Sequence, residues 1–339
     1  MKIINVAGNC QVFIEERPRP QAGPGEVVIQ TVVSAICGSE MHAYRKDGYS
    51  TGNAGHEAVG IVAELGAGVD TLSLGQRVGV SAIAGCGHCS FCAKGQYTWC
   101  SRYKFYDNMH AEYFVVPALA CHLLPDDVSW GAGVLLTGDG MGVPFHTSTK
   151  IAKEDVETVA IFGLGPVGLG NVLFQTFLGR KVIGIDRSPE RLELAHQLGA
   201  VHTIKVEEDT DVAARVRELS GGQGADVCIE AAGVPATAKQ CFAATRIAGT
   251  VIFNGEQNAV ELSPSEDFIR RDITAIGSWF YHYSEYPAML ELFRHGLPVE
   301  SLITHRFPLE QASEAYEAMR GGRSGKVLLE YSSKTTKDT

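Results

Sequence analysis

The run Gly163-Leu164-Gly165-Pro166-Val167-Gly168 lies between a short apolar stretch at 159–162 and an apolar-periodic stretch reaching Leu178. A strand that turns through glycines into a helix is one unit of a parallel sheet, because a crossover must carry the chain back before a parallel neighbour can begin. Gly163 permits the tight turn, Gly165 lets the backbone approach a pyrophosphate, and Gly168 lets the helix pack closely; Pro166 and Val167 open the helix, whose unpaired N–H groups attract an anion. Asp186 follows Gly168 by 18 residues, at the end of the next apolar run, where a carboxylate accepts hydrogen bonds from an adenosine ribose. The same charge repels a 2′-phosphate, which favours NAD over NADP, while Arg187 beside it partly offsets that repulsion. A glycine turn without a ligand is the alternative reading.

The rhythm continues downstream. After residues 182–185, Ser188, Pro189 and Glu190 read as an N-cap, a proline at the first helical position and an acidic first turn, with Leu192, Ala195 and Leu198 on one face and Gly199 as terminator. Strands are expected at 202–204, 226–229, 251–253 and 273–276, and helices at 210–219 and 235–245, giving a doubly wound parallel sheet of the Rossmann type. The first 150 residues read differently. Runs at 27–36, 58–65 and 111–116, punctuated by glycines 48, 52, 55, 60, 66, 68, 75 and 79, predict an irregular, barrel-like β domain. The tail predicts helices at 287–293 and 309–319 and a strand at 326–331 that joins the amino-terminal domain. The expected division is therefore a discontinuous domain, 1–147 completed by 292–339, around a nucleotide-binding domain at 148–291, with the polar residues 332–339 frayed. A chain of 339 residues accommodates two such domains.

The chain has nine cysteines, an odd number without a signal peptide, which argues against a disulfide framework. Cys86-x2-Cys89-x2-Cys92-x7-Cys100, interleaved with glycines 85, 87 and 95, places four thiols on one short loop and reads as structural zinc. An iron–sulfur cluster and unmetallated thiols are the alternatives; no proline follows the fourth cysteine and no second cluster motif exists. His88, inside the loop, is not needed as a ligand. Cys37 and Gly55-His56-Glu57 bring a thiolate, an imidazole and a carboxylate, the donors of an open catalytic zinc site, although each alone would be read as core. The net charge of 29 − 39 = −10 with dispersed basic residues disfavours nucleic acid and anionic membranes as partners. With no apolar run long enough to span a bilayer, a soluble cytoplasmic protein is expected.

Together, Cys37 in Cys-Gly-Ser-Glu, His56 in Gly-His-Glu, the four-cysteine lobe and the glycine fingerprint make the chain resemble the zinc-containing medium-chain alcohol and polyol dehydrogenase superfamily. The resemblance spans nearly all of it and implies a GroES-like catalytic domain beside a Rossmann domain, with NAD and two zinc ions per subunit. It implies Cys37 and His56 as catalytic zinc ligands, Glu57 as the carboxylate behind or on the metal, and Asp139 as third ligand where relatives carry cysteine or glutamate. Glu40 takes the place of the aspartate that supports the ligand histidine. Ser39 and His42 form a proton relay, Val143 stands behind the nicotinamide, and Lys326 contacts the pyrophosphate, with Arg323 a competitor. Tyr44, Tyr49, Phe105, Tyr106 and His110 are expected around the cleft. The implied reaction is oxidation of an alcohol to a ketone or aldehyde, with a secondary alcohol such as a polyol or cyclitol preferred. An NADP-linked or zinc-free quinone or enone reductase and a non-catalytic nucleotide-binding protein are the rivals. A homodimer or homotetramer is expected, with residues 263–276 at its interface.

Overall fold

The structure, a computed structural model, describes residues 1–48, 52–151 and 156–332; Tyr49 and residues 333–339, expected to fray, lie outside them. Within these residues the strands Thr158–Phe162, Lys181–Asp186, His202–Lys205, Ala225–Glu230, Thr245–Phe253 and Thr274–Gly277 form one parallel sheet. In chain order the sheet runs third, second, first, fourth, fifth, sixth. The order reverses between Thr158–Phe162 and Ala225–Glu230, and the carboxyl ends of two strands at such a reversal are where ligands bind in folds of this kind. Val159 and Ile161 pack into one hydrophobic cluster, Ala160 and Phe162 into another on the opposite face. Both faces of the strand are therefore buried, as a sheet covered by helices on each side requires.

Each glycine of the fingerprint has a measurable reason. Gly163 has φ +90°, and a Cβ there would stand 2.7 Å from that of Ala232. At Gly168 it would lie 1.9 Å from the Gly163 carbonyl oxygen, whereas at Gly165 it would meet nothing within 4 Å, so that side of the turn is open to a ligand. Downstream, the Ser188 hydroxyl accepts from Arg191 N at 3.3 Å, and Gly199, at φ +100°, ends the helix Pro189–Gln197.

The second large sheet has the 11-residue strand Glu26–Ile36 at its centre. It pairs antiparallel with Ala58–Leu65, with Tyr113–Pro117 and with the chain's last strand, Lys326–Glu330. Arg77–Val80 and Cys121–Leu123 extend one side, and Ile303–Pro308 extends the other. Besides the six-residue helix Glu40–Arg45, two longer helices in this half depart from the strand-only expectation, Trp130–Leu136 and Asp139–Lys150. Their glycines and Pro144 disguise them in the sequence, since both residue types oppose helix formation in isolation. Close packing explains the glycines. A Cβ at Gly142 would come within 2.3 Å of the Tyr281 ring, and one at Gly133 within 2.6 Å of Leu124. No helix among the described residues is long and apolar enough to cross a membrane.

Asp226 ties three strand starts together. Its carboxylate accepts from Glu157 N at 3.0 Å and Thr158 N at 2.7 Å, and pairs with Arg246. Burial opposes its ionisation, but Arg246 and these N–H groups outweigh burial and hold its pKa below the usual aspartate value. A depressed folded-state pKa contributes stability that is present above the unfolded-state value and lost as pH falls through the depressed one. Asp226→Asn is expected to lower stability by about 1–3 kcal/mol at neutral pH. Thermal unfolding across an acid series should show the gap between variant and native protein closing as pH falls.

Candidate active site

Antiparallel pairing brings the site together. Strand Glu26–Ile36 delivers Cys37 at its end, and Ala58–Leu65 begins just after His56 and Glu57; Ser34 faces Ala58 across the ladder, and Ala35 N donates to Glu57 O at 2.9 Å. Helix Asp139–Lys150 contributes its first residue. Asp139 Oδ2 lies 3.2 Å from Cys37 Sγ and 3.3 Å from His56 Nε2. One donor atom from each of Cys37, His56, Glu57 and Asp139 falls within 4.8 Å of the others, and all four residues are buried. His56 Nδ1 is held 3.0 Å from the Ala54 carbonyl oxygen, which leaves Nε2 facing the cluster. Asp139 Oδ1 is buried without a hydrogen-bond partner.

Burial pushes the Cys37 thiol up, and the Asp139 carboxylate adds to the rise. Burial opposes a charge on His56, but Cys37 and Asp139 outweigh it and raise the imidazole well above its ordinary value. Burial also pushes the Glu57 carboxyl up against the pull of Lys326. Such a knot of buried acceptors is unfavourable unless a cation joins it. A divalent ion beside a neutral His56, together with the Lys326 ammonium, balances the three anions Cys37, Asp139 and Glu57. The donor set, the charge balance and the unsatisfied Asp139 oxygen all fit zinc.

The lobe gives a second group. Cys86, Cys89, Cys92 and Cys100 bring their sulfurs within 4.8 Å of one another, with Sγ separations of 3.4 Å for Cys89–Cys92 and 3.9 Å for Cys86–Cys92. Four thiolates about 2.3 Å from one zinc stand about 3.8 Å apart, and several irons between them would force the sulfurs wider. The backbone N–H of His88 leads the effects that bring the Cys86 thiol down to about 5. Burial and the neighbouring Cys89 push Cys92 up to about 11. His88 is exposed and outside the group.

Several expectations change. Lys326 was expected on a pyrophosphate, but it is fully buried and its Nζ pairs with Glu57; Glu57 Oε2 also accepts from Asp139 N at 3.0 Å. The basic residue of that segment turned toward the nucleotide fold is Arg323, exposed and 3.6 Å from Glu190. Glu40 was expected to support His56. Its longer stem instead carries the carboxylate to Cys37 N at 2.9 Å, His110 Nε2 at 3.1 Å and the Tyr316 hydroxyl. Burial opposes the charge, yet His110 brings Glu40 down to about 2. His110 is thus core, not cleft. Tyr44 is also buried, its ring 5.3 Å from that of Tyr316, and Tyr106 packs against the Val27–Met109–Phe114 cluster. Phe105 does reach the site, its ring centroid 5.3 Å from that of His56.

Ser39 and His42 are both exposed near the start of helix Glu40–Arg45. Ser39 occupies the N-cap position but its side chain makes no capping bond. Val143 is 7% exposed, one turn beyond Asp139 on the same helix. Asp186 Oδ2 accepts from Leu164 N at 2.7 Å, and Oδ1 from Arg187 N at 2.7 Å and Ser188 N at 2.9 Å. The carboxylate is therefore fixed at the mouth of the glycine turn, while Arg187 is exposed. The Lys326–Glu57 pair and the Glu40–His110–Tyr316 cluster were missed in the sequence, because partners so far apart along the chain leave no spacing signal.

Residues 23–126 match the model of the alcohol dehydrogenase GroES-like domain, and residues 166–295 match the zinc-binding dehydrogenase model. The chain is 32% identical to an uncharacterized zinc-type alcohol dehydrogenase-like protein from Escherichia coli, over 96% of this chain and 97% of the other. It is 30% identical to sorbitol dehydrogenase from Bacillus subtilis, over 94% and 93%. Among solved structures, the alcohol dehydrogenase TADH from Thermus sp. ATN1 superposes with a TM-score of 0.88 at 28% identity, covering 98% of this chain and all of that one. The chain belongs to the zinc-containing medium-chain alcohol and polyol dehydrogenase superfamily, with its GroES-like and Rossmann parts, and its relatives are oxidoreductases acting on CH–OH groups.

Metal analysis of the purified protein is expected to give two zinc ions per chain. Asp139→Ala should lose the ion of the Cys37 group and keep that of the lobe, which one zinc per chain would register; two retained ions would exclude Asp139 as a necessary ligand.

Proposed function

We propose that this chain reversibly oxidises a secondary alcohol, polyol- or cyclitol-like, to the ketone, with NAD as hydride acceptor. The observation that carries the reading is the buried convergence of Cys37, His56 and Asp139, with an unsatisfied Asp139 oxygen, in a chain whose Rossmann sheet ends in an open glycine turn. Zinc bound there supplies a Lewis acid that lowers the pKa of an alcohol oxygen, and NAD supplies the hydride acceptor.

The chain's own residues do the rest. Cys37, His56 and Asp139 hold the metal, while Glu57, locked by Lys326 and Asp139 N, stands behind it as a fixed charge. Ser39, with a hydroxyl not spent on capping, takes the substrate proton, and His42 on the exposed face of the same short helix passes it to water. Val143 forms the apolar wall behind the nicotinamide, and Phe105 shields the His56 side from solvent. Gly163, Gly165 and Gly168 with Pro166 and Val167 seat the pyrophosphate at the helix start, and Asp186 receives the adenosine ribose. The fixed carboxylate of Asp186 supports NAD; the exposed Arg187 beside it is the feature favouring NADP as the second reading. The similarity to sorbitol dehydrogenase supports a polyol. A homodimer or homotetramer is part of the same proposal, supported by the outer strand Thr274–Gly277 and by Ile269, 70% exposed, just before it.

The test follows NADH absorbance over a panel of polyols, cyclitols and simple alcohols, with NADP run beside NAD. Cys37→Ala and Asp139→Ala should each lower kcat by at least about a hundredfold, since a Lewis acid contributes several kcal/mol. Asp186→Ala should raise KM for NAD about ten- to hundredfold and leave kcat little changed, as expected for loss of a charged hydrogen bond. No NAD-linked turnover on any member of the panel would overturn the proposal.

A further inference from the structure

We propose that Glu40 and His110 are positioning residues for the thiolate ligand: a buried clamp that fixes the Cys37 peptide and, through Gly55, the loop that presents His56. The inference rests on the reading of Cys37 and His56 as metal ligands and deepens it. Outer partners of metal ligands usually act on the imidazole. Here the His56 ring is held by a backbone carbonyl instead, and the buried carboxylate has moved to the sulfur side.

The clamp closes on Cys37 from both ends. Glu40 Oε1 accepts from Cys37 N at 2.9 Å, and Glu40 N donates to Cys37 O at 3.2 Å, so one residue holds both polar groups of the ligand's backbone. The Tyr316 hydroxyl and His110 Nε2 occupy the other carboxylate oxygen. His110 Nδ1 lies 2.8 Å from Ser34 Oγ, which lies 3.0 Å from the Tyr331 hydroxyl. Ser34, His110 and Tyr316 are fully buried and Glu40 is 2% exposed, so no water can replace a lost partner cheaply.

His110 also reaches the other ligand. A Cβ on Gly55 would stand 2.3 Å from His110 Cγ: the imidazole lies directly against the backbone one residue before His56. Asn53 Oδ1 accepts from Gly55 N at 3.1 Å and from His110 N at 3.2 Å, stitching ring and loop together. The rigid body that results spans the ligand-bearing turn, the ligand-bearing loop and, through Tyr316 and Tyr331, the carboxyl-terminal segment. Its stem length is specific, because an aspartate at position 40 would be one methylene short of spanning Cys37 N and His110 together.

The experiment follows zinc release from the full-length, zinc-loaded protein into excess chelator, which needs neither alcohol nor NAD. The Cys37-site phase is assigned as the one absent from Cys37→Ala. Glu40→Gln and His110→Gln are expected to accelerate that phase about 10- to 100-fold and leave the lobe phase unchanged. Tyr316→Phe, which removes one donor and keeps the ring, should accelerate it less. With cobalt in the Cys37 site and zinc kept in the lobe, the thiolate-to-metal charge-transfer band should shift in Glu40→Gln. Glu40→Asp should release zinc as fast as Glu40→Gln; full restoration by aspartate would assign the effect to buried charge and overturn the clamp. Unchanged release with an unchanged band, or equal acceleration of both phases, would overturn it as well. Should Glu40→Gln fail to fold, Tyr316→Phe decides in the same way. A native protein with a Cys37-site phase but no alcohol turnover would sink the dehydrogenase proposal alone, whereas absence of that phase would sink both.

Discussion

Three buried acids, Cys37, Asp139 and Glu57, converge around one imidazole, with a single buried ammonium, Lys326, among them. Desolvated like charges at this range repel strongly, so the fold must hold them against their own repulsion and supply a counter-charge. The long central strand, the hairpin partner beginning at Ala58 and the carboxyl-terminal strand are hydrogen-bonded into one sheet, and each delivers one part of the cluster at its end. The helix carrying Asp139 lies against Tyr281 where Gly142 has no side chain, and the preceding helix Trp130–Leu136 lies against Leu124 where Gly133 has none. Rigidity on this scale serves an electrostatic purpose: a site that can relax would let the acids separate or take up protons.

The nucleotide half solves a different problem with opposite means. Its glycine turn is left open where a Cβ on Gly165 would meet no atom within 4 Å, and the Asp186 carboxylate beside it is pinned by three backbone N–H groups. An anion-receptive helix start and a fixed acceptor stand side by side, which is the pairing a dinucleotide requires. The two halves share a hydrophobic cluster in which Leu135 and Met141 of the first pack with Leu169 and Val172 of the second. The metal cluster and the glycine turn are thus linked through packed helices.

Much of this was legible in the sequence for physical reasons. Period-two and period-3.6 patterns mark elements that bury a face, and the strands and helices from residue 158 onward follow them closely, apart from the unforeseen strand Ile303–Pro308. Cysteine spacing marked the lobe because a short loop must carry its ligands close together in sequence. What stayed hidden was set by tertiary contact. The Trp130–Leu136 and Asp139–Lys150 helices carry residues that oppose a helix in isolation and are stabilised by burial. Lys326 and Glu57 are far apart in the chain, and nothing in a glycine-rich tail says that its lysine points inward. Glu40 was read as a histidine partner by resemblance, and one additional methylene redirected it to another histidine.

The placement of Lys326–Glu330 against the strand that ends at Cys37 has a consequence for biosynthesis. Residues 37, 56 and 139 leave the ribosome long before residue 326 does. Throughout that interval Glu57 lacks its ammonium and the central strand lacks a neighbour, so a nascent chain carries an incomplete, over-acidic pocket beside an unpaired sheet edge. The Cys37 cluster takes its final form as a late event in synthesis, and a chain cut short before this strand would keep the four cysteines of the lobe, Cys37 and His56, yet lack the ammonium that balances the Cys37 group.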